Sequence, residues 1–243
     1  MKFDLERILI ILVIIICNAC RKDPPILNSN NDITTKGNIR VKIIHLSNSS
    51  PLSLNNFNFV SCNHDTISYS NIEYLISEIK LYHHGKELTY PHTFYIHPNA
   101  STNEFLIKDI PYEKYDSLKL SIGTNHPFDS ADINIVNMAW PDMMGGGYHF
   151  IKLEGYFKHY NQNIGYALHI GGNAIQPIKF TFTLPFTVSK KEHLLEIYHL
   201  IDEWIQNPIC YKVSSSNYSM GNDSLMDIIY QNGKDVLLFS FFQ

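Results

Sequence analysis

Alternation of apolar and polar residues runs through much of this chain and constrains its fold more than any other feature. In segments 39–43, 117–122 and 179–184, every second residue is apolar. A period of two places successive side chains on opposite faces of a strand, so each segment predicts a strand with one buried face. Glycine-rich stretches such as Gly145 to Gly147 predict turns between strands. Many short strands without regularly alternating helices predict an all-β fold, an antiparallel β-sandwich.

One segment departs from this period and predicts a helix near the C-terminal third. Ser189 and Glu192 have the spacing of a capping box, in which each side chain satisfies a backbone N–H at a helix start. Apolar residues then recur at steps of three and four until Pro208: Leu194, Ile197, Tyr198, Ile201, Trp204 and Ile205. We therefore expect one amphipathic helix inserted in the sandwich, with its aromatic side chains packed in the core.

The N-terminus has the order of a bacterial export signal. Lys2 and Arg7 precede the apolar run Ile8–Ile16, and Ala19 stands directly before Cys20. Such a run is far shorter than the roughly 20 residues that a membrane-spanning helix needs. The residues around Cys20 resemble a lipoprotein cleavage box, so we expect this cysteine to carry the lipid.

The expected organisation follows from this signal. Residues 1–19 are predicted to be a lipoprotein signal peptide, and residues 20–37, rich in polar residues and proline, a flexible tether. Residues 38–243 are then predicted to form one β-sandwich domain. We expect the protein to be exported and lipid-anchored to the outer membrane of a Gram-negative bacterium, on its periplasmic or surface face.

Cysteine usage agrees with an exported protein. Once Cys17 leaves with the signal and Cys20 is acylated, Cys62 and Cys210 remain. Exported proteins in an oxidising compartment seldom keep two free thiols, so we predict that these two form a disulfide. The alternative is that one of them is a soft metal ligand.

Charge and motifs exclude several functional classes. The net charge of −4 includes no basic cluster, which argues against nucleic-acid binding. Common catalytic signatures are absent from the sequence, and we do not expect an enzyme. Asp142 and Glu154 could act as a carboxylate pair, but Glu154 alternates with strand residues and is interpreted as the cap of a turn.

Histidine and methionine point towards a metal. The chain has twelve histidines, of which His45, His64, His97, His126, His149 and His169 lie at strand ends or beside loops. Met138, Met143 and Met144 flank Trp140. Thioether sulfur is a soft donor and imidazole binds copper in either oxidation state, so together they suit copper. Composition alone is weak evidence, because an isolated histidine is more often a surface or core residue.

A longer motif strengthens this hypothesis. The stretch 137–155, NMAWPDMMGGGYHFIKLEG, resembles the motif of MbnP-like proteins, in which a Met-x-Trp loop leads through glycine and tyrosine into a strand ending Leu-Glu-Gly. Segment 165–171, GYALHIG, is similar to the family's histidine-bearing strand. Segments 74–81 and 219–221 also fit, so the resemblance covers roughly residues 39–242.

The resemblance implies a β-sandwich that binds copper through histidines from different strands. Because a pair of imidazoles offers few donors, we expect the ion to be Cu(I). Carried over to this chain, it makes His169 the first ligand, His45 the second and Met138 a soft axial ligand. It also implies oxidation of Trp140 to kynurenine, assisted by a di-haem cytochrome c peroxidase-like partner. Each assignment has a structural alternative: a buried, hydrogen-bonded histidine, a thioether that fills a gap, and Trp140 as a plug in its loop.

Tyr218 and the loop from Trp140 to Tyr148 each bear on the copper-binding hypothesis. Many MbnP-like proteins place histidine directly before the Ser-Met pair, where this chain has Tyr218. Phenol is a poor ligand near neutral pH, so we expect copper affinity to be reduced or lost if that histidine is a ligand elsewhere. The alternative function is a surface lipoprotein that binds a protein or glycan, without metal, through exposed aromatic residues in the loop from Trp140 to Tyr148.

Overall fold

The computed structural model describes residues 35–98, 103–126, 136–183 and 185–242. The predicted signal peptide, Cys20 and nearly all of the predicted tether lie outside the described residues, so these assignments stay predictions. Among the described residues, none of the helices has both the length and the apolar character needed to cross a bilayer.

Strands dominate the described chain. In order they are β1 (Lys36–Ser47), β2 (Ser50–Pro51), β3 (Phe59–Val60), β4 (Thr66–His83), β5 (Lys86–Tyr90), β6 (Phe94–Ile96), β7 (Glu104–Pro111), β8 (Lys114–Tyr115), β9 (Ser117–Ile122), β10 (His149–His159), β11 (Gln162–Gly171), β12 (Ile178–Phe182), β13 (Phe186–Thr187), β14 (Glu192–Leu200) and β15 (Leu237–Phe242). The helical segments are α1 (Glu203–Gln206), α2 (Asp223–Asn232) and the 3₁₀ turns Asp142–Met144 and Gly233–Asp235.

The strands form two large sheets and a small one. The five-stranded sheet has the order β15-β14-β1-β2, with β7 also paired to β1. The eight-stranded sheet has the order β11-β10-β4-β9-β12, with β3, β5 and β6 also paired to β4. Strands β8 and β13 pair separately. The prediction of an all-β, antiparallel sandwich is confirmed, with β1 and β14 as a parallel pair within it.

Inward-facing side chains of both large sheets form one core. Every second residue of β1 is buried, including Ile39, Val41 and Ile43, as the alternation in the sequence predicts. They belong to the same apolar cluster as Tyr74 and Ile76 of β4, in the other sheet. Each sheet therefore has a face turned towards the core and a face turned away from it.

The segment predicted as a helix is mostly a strand. Residues 192–200 form β14, in which His193, Leu195, Ile197 and His199 alternate with less buried neighbours. Two of these four buried residues are histidines. Because histidine is polar, the alternation of buried and less buried residues does not show in the sequence as an alternation of apolar and polar ones. The proposed capping box does not form: the backbone N–H groups of Ser189 and Lys190 donate to His193 Nε2 at 3.0 and 3.3 Å.

The longest described helix, α2, begins later than predicted. Asn222 caps it, since its side-chain oxygen accepts a hydrogen bond from the Leu225 N–H at 3.2 Å. Met226 and Ile229 bury its inner face. The fold class of a β-sandwich with one substantial helix in the C-terminal third therefore holds, while the position of the helix was wrong.

The predicted disulfide is confirmed. Cys62, in the turn between β3 and β4, is bonded to Cys210, in the coil after α1, with their Cα atoms 5.9 Å apart. The alternative of a metal-binding cysteine is thereby excluded for this pair. The bond spans 148 residues of sequence, so it closes a very long loop.

Removing this disulfide is expected to lower the free energy of unfolding by about 2 to 4 kcal/mol, because a cross-link over a long loop restricts the unfolded chain. The measurement is urea unfolding of a Cys62→Ser/Cys210→Ser variant beside the oxidised wild type. Reduced wild type serves as a control and is expected to match the variant. Identical urea midpoints for all three would contradict a stabilising role.

Candidate metal centre

The candidate site lies on the outer face of the eight-stranded sheet, at β10 and β11. In this antiparallel pair Lys152 is opposite His169, and Leu153 is opposite Leu168. Both leucines are buried in the core, so Lys152 and His169 point to the other face of the sheet. Glu154 shares that outer face, two residues beyond Lys152.

His169 is held in one orientation by a carboxylate. Its Nε2 lies 2.8 Å from Glu154 Oε1, and this hydrogen bond is the main reason why the pKa of Glu154 is below its usual range. An ionised carboxylate only accepts hydrogen bonds, so Nε2 carries a proton, and in the neutral imidazole Nδ1 carries the lone pair. His169 Nδ1 is buried and has no hydrogen-bond partner in the described part of the chain. A buried lone pair of this kind is a ligand in the correct protonation state.

His149 has the complementary arrangement. Its Nδ1 lies 3.2 Å from the Met138 carbonyl oxygen, and a carbonyl only accepts, so Nδ1 carries the proton and Nε2 the lone pair. Burial, followed by the effect of neighbouring His169, lowers the pKa of His149 to about 4. The imidazole is therefore neutral near pH 7. The two histidine rings are 5.2 Å apart, centroid to centroid, at 85°.

Trp140 packs against His149 of this pair. Its ring centroid lies 4.8 Å from that of His149, and only 4% of the residue is exposed. The indole Nε1 donates to the Met144 carbonyl at 3.3 Å. The ring packs directly on Gly172, where a Cβ would lie 3.0 Å from Nε1 and the backbone φ is +86°. Glycine at this position therefore makes room for the tryptophan.

Ser219 fixes the backbone of β11 beside the site. The His169 N–H donates to Ser219 Oγ at 2.7 Å, and the Ser219 hydroxyl donates to the His169 carbonyl at 2.8 Å. Both donors are buried, so the segment around Ser219 holds His169 rigidly. Tyr218, next to it, bridges to Ala167.

The site offers few donors. Within residues 35–98, 103–126, 136–183 and 185–242, no three His, Cys, Asp or Glu side chains come together as metal ligands. Glu154 is already engaged as the partner of His169. The imidazoles of His149 and His169 are thus the nitrogen donors that this arrangement offers, which suits an ion of low coordination number.

A family model named MbnP matches residues 36–223 of this sequence. The chain belongs to the MbnP family. Among solved structures, MbnP from Methylosinus trichosporium matches with a TM-score of 0.51 and 9% sequence identity, over 86% of this chain and 99% of that one. At this identity the match shows a shared fold. No curated protein matches the sequence.

MbnP-family resemblance predicted His169 and His45 as ligands, and the structure does not bring them together. His45 Nε2 lies 2.8 Å from the Tyr74 hydroxyl. Tyr74 is paired with Ile151 in the eight-stranded sheet, and both side chains point into the core. His169 is on the opposite face of the same sheet. The ring of His45 instead contacts that of His199, its registered neighbour on β14, at 5.5 Å between centroids.

The other predicted residues of the MbnP motif lie around the site. Met138 is fully buried, and its side chain packs with Leu75 while its carbonyl holds His149. Trp140 is buried and packs on His149 and Gly172, which is the packing position that the structural alternative describes. Glu154 was interpreted as a turn cap, which is wrong: it lies within β10 and orients His169.

Tyr218 stands where the family resemblance led us to expect a histidine. It is half-exposed and lines a shallow cleft together with Glu154 and Tyr156. The cleft therefore opens beside the carboxylate that orients His169. The departure from the family motif lies at the edge of the candidate site, not in the core.

Proposed function

We propose that this protein is an exported copper-binding lipoprotein in which His149 and His169 hold Cu(I). The observation that carries the proposal is the buried Nδ1 of His169, which has no hydrogen-bond partner among the described residues and lies beside the ring of His149. Hydrogen bonds to the Glu154 carboxylate and the Met138 carbonyl orient the rings of His169 and His149. Metal-binding histidines are usually oriented in this way. The MbnP family is associated with copper and methanobactin systems, and neutral imidazoles suit copper among other metals.

Copper is the cargo in this proposal, and the protein binds and transfers it without a catalytic role of its own. Lipid on Cys20 would keep it at the outer membrane, where a di-haem cytochrome c peroxidase-like protein is the proposed partner. Oxidation of Trp140 to kynurenine stays a prediction from the family resemblance. It is supported by the position of the indole, whose ring centroid lies 4.8 Å from that of His149.

Titration of the purified native protein with Cu(I), in competition with a chromogenic chelator, tests the proposal. We expect one Cu(I) per chain, retained after desalting. A protein that releases all copper to a weak chelator would refute the proposed function. The metal-free binding module is less supported, because Trp140 is buried and the loop offers no exposed tryptophan to a partner.

Glu154→Gln is expected to weaken Cu(I) binding by about ten- to a hundredfold, the usual effect of losing an outer partner of a metal-binding histidine. A glutamine amide keeps the size of the side chain but no longer supplies a negative acceptor to His169. The measurement is the same chelator competition. The matched control is Glu87→Gln, which removes a surface carboxylate paired with Lys80 and is expected to leave affinity unchanged.

A further inference from the structure

Two methionines stand outside the histidine pair. Met143 is 93% exposed and Met144 is 36% exposed, whereas Met138 is fully buried in the same segment. An exposed thioether contributes little to folding, since it removes almost no apolar surface from water. The same sulfur is a soft, neutral ligand of the kind that selects Cu(I).

Hydrogen bonds hold the backbone of this loop in one conformation, and that conformation keeps Met143 exposed. Asn173 donates its backbone N–H to the Gly146 carbonyl at 3.0 Å and its side-chain amide to the Gly145 carbonyl at 3.1 Å. Gly145 closes the 3₁₀ turn by donating to the Asp142 carbonyl at 3.0 Å. Both glycines have left-handed backbone angles, φ +97° and +64°, which other residues rarely adopt.

Met144 connects this loop to both sides of the histidine site. Its carbonyl accepts the hydrogen bond from Trp140, whose ring contacts His149. Its methyl group packs on Gly221, where a Cβ would lie 3.4 Å from Met144 Cε. Gly221 is two residues beyond Ser219, which holds the backbone of His169. Met144 therefore contacts residues that flank the histidine site, and exposed Met143 precedes it in the same turn.

We propose that Met143 and Met144 form an outer capture site for Cu(I), from which the ion passes to His149 and His169. The role in delivery rests on the proposed function. Transfer is ligand exchange: copper–sulfur bonds break as copper–nitrogen bonds form, and copper stays Cu(I). Because a thioether is neutral at every pH, it binds the ion without a proton leaving.

Capture is tested by NMR of the full chain labelled at its methionine methyl carbons, in a His149→Ala/His169→Ala background. The probe is Ag(I), a soft ion that does not change oxidation state under these conditions. We expect the methyl resonances of Met143 and Met144 to shift, while those of buried Met138 and Met226 stay in place. Unchanged Met143 and Met144 resonances would overturn the capture site.

Delivery is tested by the kinetics of Cu(I) uptake from a chromogenic chelator complex. Met143→Leu/Met144→Leu keeps the size of both side chains and removes sulfur. We expect uptake to slow by on the order of tenfold while final occupancy is unchanged, because a transient soft ligand is lost and the imidazoles remain. Met226→Leu is the matched control and is expected to bind at the wild-type rate.

The outcomes separate the two proposals. Equal uptake rates would overturn delivery, and so would loss of final occupancy, since the methionines would then be permanent ligands. A wild type that binds no Cu(I) at its histidines would refute the proposed function and delivery with it. The methyl resonances, measured in a protein without these histidines, decide the capture site independently.

Discussion

Replacement of His169 by alanine is expected to weaken Cu(I) binding by more than about a hundredfold, because loss of an outer partner alone typically costs ten- to a hundredfold. The substitution removes the buried Nδ1 and leaves Glu154 without its hydrogen-bond donor. His149→Ala is expected to have a similar effect, since a single imidazole cannot hold the ion alone. The measurement is competition against chelators that span several orders of magnitude in Cu(I) affinity.

The controls decide which histidines form the site. His126→Ala removes an exposed histidine and is expected to leave affinity unchanged. His45→Ala tests the ligand predicted from the sequence, and we expect little change because His45 lies on the other side of the sheet. The reverse pattern, with affinity lost in His45→Ala and kept in His169→Ala, would contradict the assigned pair. Circular dichroism of each variant verifies that the fold is intact.

The sequence predicts His169 as a candidate ligand but not His149, the partner that we propose for it. The family motif marks His169 directly, whereas His149 appears in it only as the residue after Tyr148. What brings the two rings together is the irregular start of β10, where the register with β11 shifts between His149 and Ile151. Such a shift depends on how the preceding loop folds back on the sheet, and period-two patterning carries no information about it.

Strand β14 shows why the C-terminal third was misinterpreted. Its apolar residues satisfy both a strand and a helix pattern over a short stretch, and the capping-box spacing of Ser189 and Glu192 favours the helix. Pairing with β1 buries both histidines, so tertiary contacts outweigh the local pattern. The disulfide was predictable because exclusion of the lipid cysteine left one pair.

The histidines in the core are neutral because they are buried. Burial lowers the pKa of His45 to about 4, and it lowers the pKa of His199, which is completely buried, well below its ordinary value. His199 Nε2 accepts the indole N–H of Trp204 at 2.7 Å, which requires an unprotonated nitrogen. Protonation of either ring places a charge inside the sandwich, next to Tyr74.

We therefore expect the metal-free protein to lose stability steeply below pH 6.5. The unfolded chain binds protons at its histidines near pH 6.5, while folded His45 binds one only near pH 4, so the unfolded state is favoured as pH falls between these values. His45 alone contributes a loss of about 2 kcal/mol by pH 5 and about 3 kcal/mol by pH 4. His199 adds to this loss in the same direction. Urea unfolding between pH 7.5 and 4 measures it.

A non-titrating substitution separates the core histidines from the other acid-sensitive groups. His199→Gln retains an oxygen that can accept the Trp204 N–H but cannot gain a proton, so the fall in stability between pH 6.5 and 5 should become shallower. His126→Gln, at an exposed site, should keep the wild-type slope. If His199→Gln and wild type lose stability in parallel, protonation of His199 does not drive the acid sensitivity. A core that tolerates a charge there would then require a local opening of β14, which hydrogen exchange at pH 5 would detect.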